Sequence, residues 1–297
     1  MPAPTSFPSE PIDLRLVVTD LDGTLLDGDG RIPESLWPLL DRLTARGVTL
    51  APASGRQYAT LRRMFDAATD VAFIAENGTY VVHDGDELSC TPLQDGLARN
   101  LVGWVRDLAA AGHDLGVVWC GRRSAYIERS DPAFLAQVTG YYAALEVVAD
   151  LREVSEPAVK CAVYDFGDIE SGSARVLAER CAPHQVVVSG RHWADVMSQG
   201  VNKGVAVASL QRELGVTPEQ TVVFGDYLND VEMLAAAPHS FAMANAHPDV
   251  IETARYLAPG NDEDGVVAVL QRVLDAATPP ELPHCRVSAR TWAETRR

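Results

Sequence analysis

The stretch VVTDLDGTLL, residues 17–26, runs from apolar residues directly into two acids, a glycine and a threonine. The apolar part of this stretch begins a few residues earlier, as LRLVVT (14–19). That segment is short, apolar and rich in β-branched residues, which predicts a buried strand. In extended backbone, side chains two residues apart point to the same side, so we expect the carboxylates of Asp20 and Asp22 to lie close together where the strand ends. Like charges at that distance repel, and they need a cation or a shared proton.

The residues that follow predict a parallel sheet. PESLWPLLDRLTARG (33–47) has apolar residues at helical spacing and closes on Gly47, and VTLAPAS (48–54) predicts a second strand. A strand, a helix and a strand in that order favour a right-handed crossover between parallel strands. VAFIAENG (71–78) and TVVFGD (221–226) indicate further strands of this kind. We therefore predict an α/β fold with a Rossmann-like parallel sheet.

A long segment in the middle of the chain has a different pattern. Its predicted helices cover 94–111, 131–146 and 170–182, and its predicted strands are LGVVWC (115–120), SAYIER (124–129), AVKCAVYDF (158–166), QVVVSG (185–190) and WADVMS (193–198). This pattern indicates an α+β unit inserted into the parallel-sheet domain. We predict a core in two parts, 13–83 and 199–275, an inserted unit at 84–198, and a loose tail at 276–297.

Composition narrows the class of protein. With 297 residues, 47% of them hydrophobic, the chain has enough apolar surface for a core and an inserted unit. The formal net charge of −16 argues against nucleic acid or an anionic membrane as the main partner, since both repel an acidic surface. The amino-terminal residues lack the basic start and apolar run of a signal peptide, and no stretch is long enough to span a bilayer. We expect a soluble protein.

The cysteines predict a reducing compartment. They are odd in number, widely spread and never in a C-x-x-C pair: Cys90, Cys120, Cys161, Cys181 and Cys285. Neither a disulfide framework nor a zinc site is indicated by such a pattern. The cytoplasm is therefore the predicted location.

Polar residues follow each predicted parallel strand: Asp20 and Asp22, Ser54, Glu76 and Asn77, and Asp226. Because ligands of an open parallel sheet bind at the carboxyl ends of its strands, we expect these side chains to converge on one crevice. Carboxylate, hydroxyl and amide groups suit a hard cation such as Mg²⁺ better than zinc, which prefers nitrogen and sulfur. Each motif alone also has a simpler interpretation: DLDG and ENG as tight turns, and SGR as a turn in which Ser54 caps a helix.

Lys203 is unusual within this composition. Of 25 lysines and arginines, only Lys160 and Lys203 are lysines, so arginine is the expected basic residue at an ordinary surface position. A compact ammonium serves as a point charge beside phosphate or carboxylate. A chance surface lysine is the alternative interpretation.

Taken in order, these motifs resemble a known family. DLDGT (20–24), SGR (54–56), NKG (202–204) and GDYLND (225–230) are similar to the four motifs of the haloacid dehalogenase superfamily. Three further stretches resemble its Cof-type sugar-phosphate phosphatase branch: ENG (76–78), MANAHPDV (243–250) and NDEDGV (261–266). The resemblance covers roughly residues 14–274, and the inserted unit stands where that branch carries its cap.

The resemblance implies a set of roles. Asp20 would be the nucleophile that forms an aspartyl-phosphate, and Asp22 would protonate the leaving alcohol and then activate water. Ser54 and Lys203 would contact the phosphoryl group. Mg²⁺ would be held by the carboxylate of Asp20, the backbone carbonyl of Asp22 and the side chain of Asp226. Residues that line the phosphate or substrate site would be Thr24, Gly55, Arg56, Asn77 and Asn229, with Asp230 in support of Lys203 or the metal.

The same resemblance implies a small phosphorylated metabolite as substrate and places its specificity in the cap. Arg122, Arg123, Tyr126 and Lys160 are candidates to meet a polar or anionic group there, or else solvated surface residues. Two alternatives to a phosphatase remain. A phosphomutase of the same superfamily passes the phosphoryl group to a second hydroxyl, and a phospho-accepting signalling module keeps it on the aspartate. Asp22 and the long insertion speak against the signalling module. The sequence predicts no oligomeric state.

Overall fold

The computed structural model describes residues 7–8, 10–169 and 172–277. In chain order its strands are β1 (Leu16–Thr19), β2 (Thr49–Pro52), β3 (Ala72–Ala75), β4 (Tyr80–His83), β5 (Asp86–Cys90), β6 (Leu115–Cys120), β7 (Ala125–Ile127), β8 (Leu145–Val147), β9 (Lys160–Asp165), β10 (Gln185–Gly190), β11 (Trp193–Met197), β12 (Thr221–Gly225), β13 (His239–Met243) and β14 (Tyr256–Ala258). Its helices are α1 (Leu36–Thr44), α2 (Tyr58–Met64), α3 (Asp95–Ala110), α4 (Pro132–Val138), α5 (Ser173–Cys181), α6 (Lys203–Leu214), α7 (Val231–Ala235), α8 (Pro248–Thr253) and α9 (Gly265–Ala276).

The predicted parallel sheet is present, and we call it the core sheet. Its five strands lie in the order β14-β13-β12-β1-β2, and every neighbouring pair is parallel. Residues of β1, β2 and β12 are buried along their whole length, as expected for strands covered on both faces. The α/β fold class is therefore confirmed, and the carboxyl ends of all five strands meet at one edge.

The strand after Val71 only partly follows the prediction. Leu50 bridges Val71 and Ala53 bridges Ile74 in parallel, which joins β3 to the side of β2. The main partner of β3 is nevertheless β4, in an antiparallel sheet of order β3-β4-β5. The chain can reverse so tightly because Asn77 has a φ of +58° and Gly78 a φ of +94°. The predicted boundary at residue 84 falls in the turn between β4 and β5.

The inserted segment builds a second sheet, which we call the cap sheet, in the order β10-β11-β9-β6-β7-β8. One face packs against α3 and α5 through apolar residues such as Leu101, Trp119 and Leu177. The opposite face is turned toward the core sheet, since Lys160 of β9 donates a hydrogen bond of 2.7 Å to the carbonyl of Gly55. The two sheets therefore enclose a space between them.

The predicted helix at 131–146 is shorter in the structure, ending at Val138, and β8 begins at Leu145. A contact with a distant part of the chain holds the segment that follows the helix. Thr60 Oγ1 donates to the carbonyl of Tyr141 (2.7 Å) and accepts from the amide of Ala143 (2.9 Å), so these backbone groups bond to α2 instead of continuing the helix.

The last two structural predictions concern the carboxyl-terminal tail and membrane-spanning helices. The tail predicted at 276–297 lies outside the described residues beyond Ala277. Among the helices that the structure describes, none combines the length and the apolar character needed to cross a bilayer.

Thr60→Val tests how strongly α2 holds the segment after α4. The change keeps the side-chain shape but removes both hydrogen bonds to the backbone of Tyr141 and Ala143, so we expect a loss of about 1–3 kcal/mol in the free energy of unfolding. Urea denaturation followed by circular dichroism measures it. Thr253→Val is the matched control, because that hydroxyl makes a single bond at an exposed helix end. Equal losses in the two variants would contradict the role of Thr60.

Candidate active site

Three carboxylates gather at the carboxyl edge of the core sheet. Asp20 follows β1 and Asp226 follows β12, while Asp230 precedes α7. Each offers an oxygen within 4.8 Å of the others. Asp20 and Asp230 are buried, so the charge of this group is largely shielded from water. Adjacent parallel strands bring these residues together, as the polar strand ends predict.

Lys203 lies beneath this group, at the first position of α6. Its Nζ is 2.5 Å from Asp20 Oδ1 and 2.7 Å from Asp230 Oδ1, and the side chain is fully buried. Burial disfavours the charged ammonium, but the two carboxylates outweigh burial and raise the pKa of Lys203 above its ordinary value. The interpretation of Lys203 as a surface residue is therefore wrong.

One ammonium does not balance three carboxylates. Burial raises the pKa of Asp20 well above its ordinary value, despite the opposing effect of Lys203. Burial, with the neighbouring charge of Asp230, raises the pKa of Asp226 to about 6. Carboxyl groups with raised pKa values are short of partners for their charged form, and a divalent cation supplies such a partner.

The oxygens still open to a cation belong to Asp20 and Asp226. Asp230 is occupied: Oδ1 accepts from Lys203, and Oδ2 accepts from the amides of Asp226 and Tyr227 at 3.0 and 3.2 Å. An all-oxygen set of this kind fits Mg²⁺. Asp20 and Asp226 are thus the side chains that would hold the ion, and Asp230 positions Lys203 and the loop after β12. The backbone carbonyl of Asp22 as a further ligand stays a prediction.

Asp22 does not follow the strand alternation used to predict it. Strand β1 ends at Thr19, and the chain enters a tight turn over Leu21–Leu25. The Asp22 carboxylate forms a two-pronged ion pair with Arg56, at 2.9 Å from Nε and 2.5 Å from Nη2. About half of the Asp22 side chain is exposed (52%), and it faces the cavity described below. The carboxylates grouped with Asp20 are those of Asp226 and Asp230 instead.

The turn after Asp20 depends on Gly23. Its φ is +83°, a conformation that side chains with a Cβ rarely adopt, and a Cβ there would collide with the carboxylate of Asp226. The next residue, Thr24, donates from Oγ1 to Asp226 Oδ1 at 2.8 Å. The loop carrying Asp20 and Asp22 is thereby tied to the loop carrying Asp226.

The remaining predicted residues complete the mouth of the site. Ser54 is buried after β2, and its Oγ accepts from the amide of Arg56 at 3.2 Å. It does not cap α2, because Gln57 occupies that position. Asn77 accepts a hydrogen bond from Asn229 (3.3 Å) and donates one to Asp195 Oδ2 (2.7 Å).

A cavity of about 530 Å³ lies between the carboxyl edge of the core sheet and the cap sheet. The predicted residues that line it are Asp20, Asp22, Ser54, Gly55, Arg56, Asn77, Asp226 and Asn229. Three others lie behind this lining: Thr24 and Lys203 donate to its carboxylates, and Asp230 accepts from the backbone amide of Asp226. The structure therefore brings the predicted set together, with those three in a supporting position.

The four residues of the inserted unit that were predicted to meet the substrate differ in whether they line the cavity. Arg122 pairs with Glu87 at 3.1 Å, and Tyr126 donates to Glu156 at 2.9 Å, a carboxylate that also lies 3.4 Å from Arg123. None of these three lines the cavity, whereas Lys160 does. The hairpin of β6 and β7 directs its polar residues elsewhere.

Sequence reasoning missed several cap residues in the lining, among them Tyr141, Tyr164, Trp193 and Asp195. A signal for two of them was present. In WADVM the first and third residues share a face of β11, so Trp193 and Asp195 point to the same side. The choice of side depends on which face the helices cover, and this follows from packing rather than from the strand itself.

The chain matches the family model of haloacid dehalogenase-like hydrolases over residues 17–270. The 5-amino-6-(5-phospho-D-ribitylamino)uracil phosphatase YbjI of Escherichia coli (strain K12) is 30% identical over 90% of this chain and 99% of its own length. An HMP-PP phosphatase of Cronobacter sakazakii is 29% identical over 80% and 86%. Among solved structures, SMU.1108c from Streptococcus mutans UA159 aligns with a TM-score of 0.79 at 25% identity, covering 88% of this chain and 99% of that one.

Gly23→Ala tests the link between the Asp20 loop and the cation. The methyl group displaces the Asp226 carboxylate, so we expect Mg²⁺ to raise the melting temperature of the wild type but not that of the variant. Differential scanning calorimetry with Mg²⁺ and with EDTA measures the shift.

Gly30→Ala is the control for Gly23→Ala. Gly30 also has a positive φ, of +74°, but a Cβ there meets nothing within 4 Å. Both variants carry a backbone penalty of roughly 1 kcal/mol, and we expect only the Gly30 variant to keep the response to Mg²⁺. A full Mg²⁺ response in Gly23→Ala would remove Asp226 from the proposed ion site.

Proposed function

Because the chain belongs to the haloacid dehalogenase-like hydrolases and is a phosphatase of the Cof-type branch that its sequence resembles, we propose that it hydrolyses a small phosphorylated metabolite with Mg²⁺, through a phosphoryl group carried on Asp20. The observation that carries this proposal is the buried group of Asp20, Asp226 and Lys203 beneath the cavity. It combines a nucleophile, an oxygen site for a cation and a fixed positive charge.

Asp20 is the nucleophile in this proposal. Its Oδ attacks phosphorus, and a bond from that oxygen to phosphorus forms as the bond from phosphorus to the leaving oxygen breaks. Lys203, held 2.5 Å from Asp20, stays charged and offsets negative charge on the phosphoryl oxygens during transfer. Ser54 and Asn229, which line the same cavity, are neutral donors for those oxygens.

Asp22 moves the proton. It gives a proton to the leaving oxygen in the first step and takes one from the attacking water in the second, when the bond from Asp20 to phosphorus breaks. Its half-exposed position in the cavity supports this role, since leaving group and water must both reach it. Arg56 holds the carboxylate by two hydrogen bonds and sets its position before substrate arrives.

Mg²⁺ would be held by Asp20 and Asp226, with the carbonyl of Asp22 as the further ligand that the family resemblance implies. When bound, the ion supplies positive charge beside the transferring phosphoryl group. The Asp20 and Asp226 oxygens fit this ion because burial leaves their charge under-compensated.

The size of the substrate is supported by the cavity, whose volume of about 530 Å³ is typical of small-molecule sites. One relative carries a phosphorylated ribitylamino-uracil in its name as substrate. A phosphomutase would share the first step and differ in the acceptor, which would be a second hydroxyl instead of water. The absence of nucleic acid and membrane as partners and the cytoplasmic location stay predictions.

Asp20→Asn tests the nucleophile. The amide keeps the shape but cannot form the phosphoryl bond, so we expect kcat to fall by at least about 1,000-fold. The measurement is phosphate release from a panel of metabolite phosphates, with Mg²⁺ and with EDTA. Asp66→Asn, at an exposed position outside the cavity, is the matched control and should keep full activity. Turnover within tenfold of wild type in Asp20→Asn would rule out this mechanism.

Asp22→Asn tests the proton transfer. An alkyl phosphate needs a proton on its leaving oxygen and p-nitrophenyl phosphate hardly does, so we expect a loss of about 100-fold or more in kcat on the former and a much smaller one on the latter in the phosphorylation step. Single-turnover kinetics separate that step from hydrolysis of the intermediate. Equal losses on both substrates would contradict the acid role.

A further inference from the structure

The wall of the cavity opposite Asp20 contains several aromatic rings. Tyr164 of β9 and Trp193 of β11 are paired across the cap sheet, with ring centroids 4.9 Å apart and planes at 70°. Tyr141, in the segment after α4, adds a third ring, 5.6 Å from Trp193. All three line the cavity, and together we call them the aromatic wall.

Strand alternation explains why this wall faces the active site. On β9, Cys161 and Val163 point to the face that α3 and α5 cover, so Tyr164 points to the opposite face, toward the core sheet. On β11, Val196 lies on the covered face and Trp193 on the opposite one. The rings therefore stand on the open face that lies over the catalytic carboxylates.

The aromatic wall is held in place before any ligand binds. Tyr164 is packed by further rings, with centroids of Phe166 at 4.9 Å and His192 at 5.5 Å. The carbonyl of Tyr141 is bonded to Thr60, and the guanidinium of Arg56 lies 5.2 Å from its ring centroid. Fixed rings lose little conformational freedom on binding, which favours a flat ligand that stacks on them.

Two charged side chains on the cap side of the cavity, Lys160 and Asp195, are already paired near the catalytic end. Lys160 lies 2.8 Å from Glu76 and 3.2 Å from Asp195, in addition to its bond to Gly55. Asp195 also accepts from Asn77. These groups have little capacity left for the hydroxyls of a sugar, and a hydroxyl buried without a partner weakens binding.

Two polar side chains in the lining are less committed. Gln137 and Ser189 make no side-chain hydrogen bond within the part of the chain that the structure describes, and both line the cavity. An amide and a hydroxyl of this kind match the donors and acceptors on the edge of a heterocycle.

We infer that the cavity selects phosphate esters whose leaving group carries a planar heteroaromatic ring, in preference to esters of simple sugars. The inference rests on the proposed function for the phosphate end of the ligand, which sits at Asp20. The ring then stacks against Trp193 and Tyr141, and its polar edge meets Gln137 or Ser189.

The experiment compares kcat/KM for two ring esters, pyridoxal 5′-phosphate and flavin mononucleotide, with that for glucose 6-phosphate and glycerol 3-phosphate. We expect wild type to favour the ring esters by about tenfold or more, the size of one good stacking contact. Trp193→Leu keeps apolar volume but removes the ring, and we expect the preference to fall about tenfold, mainly through KM.

Trp104→Leu is the matched control. Trp104 packs against the helical face of the cap and stacks with Arg180, away from the cavity, so this variant should keep the wild-type ratio. A wild type that favours sugar phosphates, or an unchanged ratio in Trp193→Leu, would overturn the inference.

A binding measurement separates this inference from the proposed function. Isothermal titration calorimetry of the same four esters into Asp20→Asn, with Mg²⁺ present, reports preference without turnover. Tighter binding of ring esters with no hydrolysis by wild type would keep the inference and refute the phosphatase mechanism. Hydrolysis without a ring preference would do the reverse, and the absence of both would refute both.

Discussion

The pairing of one buried lysine with two buried aspartates is the constraint on which the site depends. Lys203, Asp20 and Asp230 come from three separate elements, and the side chains of Lys203 and Asp230 are fully buried while that of Asp20 is one-tenth exposed. Removing one partner from such a group typically costs about 3–5 kcal/mol, because the remaining charge stays buried. The core sheet supplies the geometry: β1 and β12 are adjacent and parallel, so the residues after them arrive at the same point. The nucleophile is thus positioned by the same pairing that makes its burial tolerable.

Much of the fold and of this group could be predicted from local sequence. Short β-branched runs mark the core strands, and polar residues directly after them mark the edge where ligands bind, which is why Asp20 and Asp226 were predicted together. The scarcity of lysine singled out Lys203. The position of Asp22 could not be predicted in this way, because Asp22 lies in the turn after β1, where strand alternation no longer applies. Its carboxylate pairs with Arg56 there.

What the sequence did not reveal depends on contacts between distant residues. The segment after α4 is held by Thr60, about eighty positions earlier in the chain, which bonds backbone groups that a longer helix would use. The face of the cap sheet that meets the cavity is decided by which side α3 and α5 cover. Arg122 and Tyr126 were therefore plausible as polar residues of a hairpin, yet their partners are Glu87 and Glu156. Alternation within a strand identifies which residues share a face but not what that face meets.

The bonds of Lys160 have a consequence for how the cap separates from the core. This ammonium is carried by the cap sheet, but two of its three partners, Glu76 and the carbonyl of Gly55, belong to the other side of the cleft. Glu76 is 1% exposed, and burial raises the pKa of its carboxyl. Lifting the cap removes the cation next to Glu76, and that carboxyl must then either gain water or take up a proton. Any separation of the two sheets would therefore expose Glu76, and in the arrangement described here Lys160 compensates the charge of that buried acid.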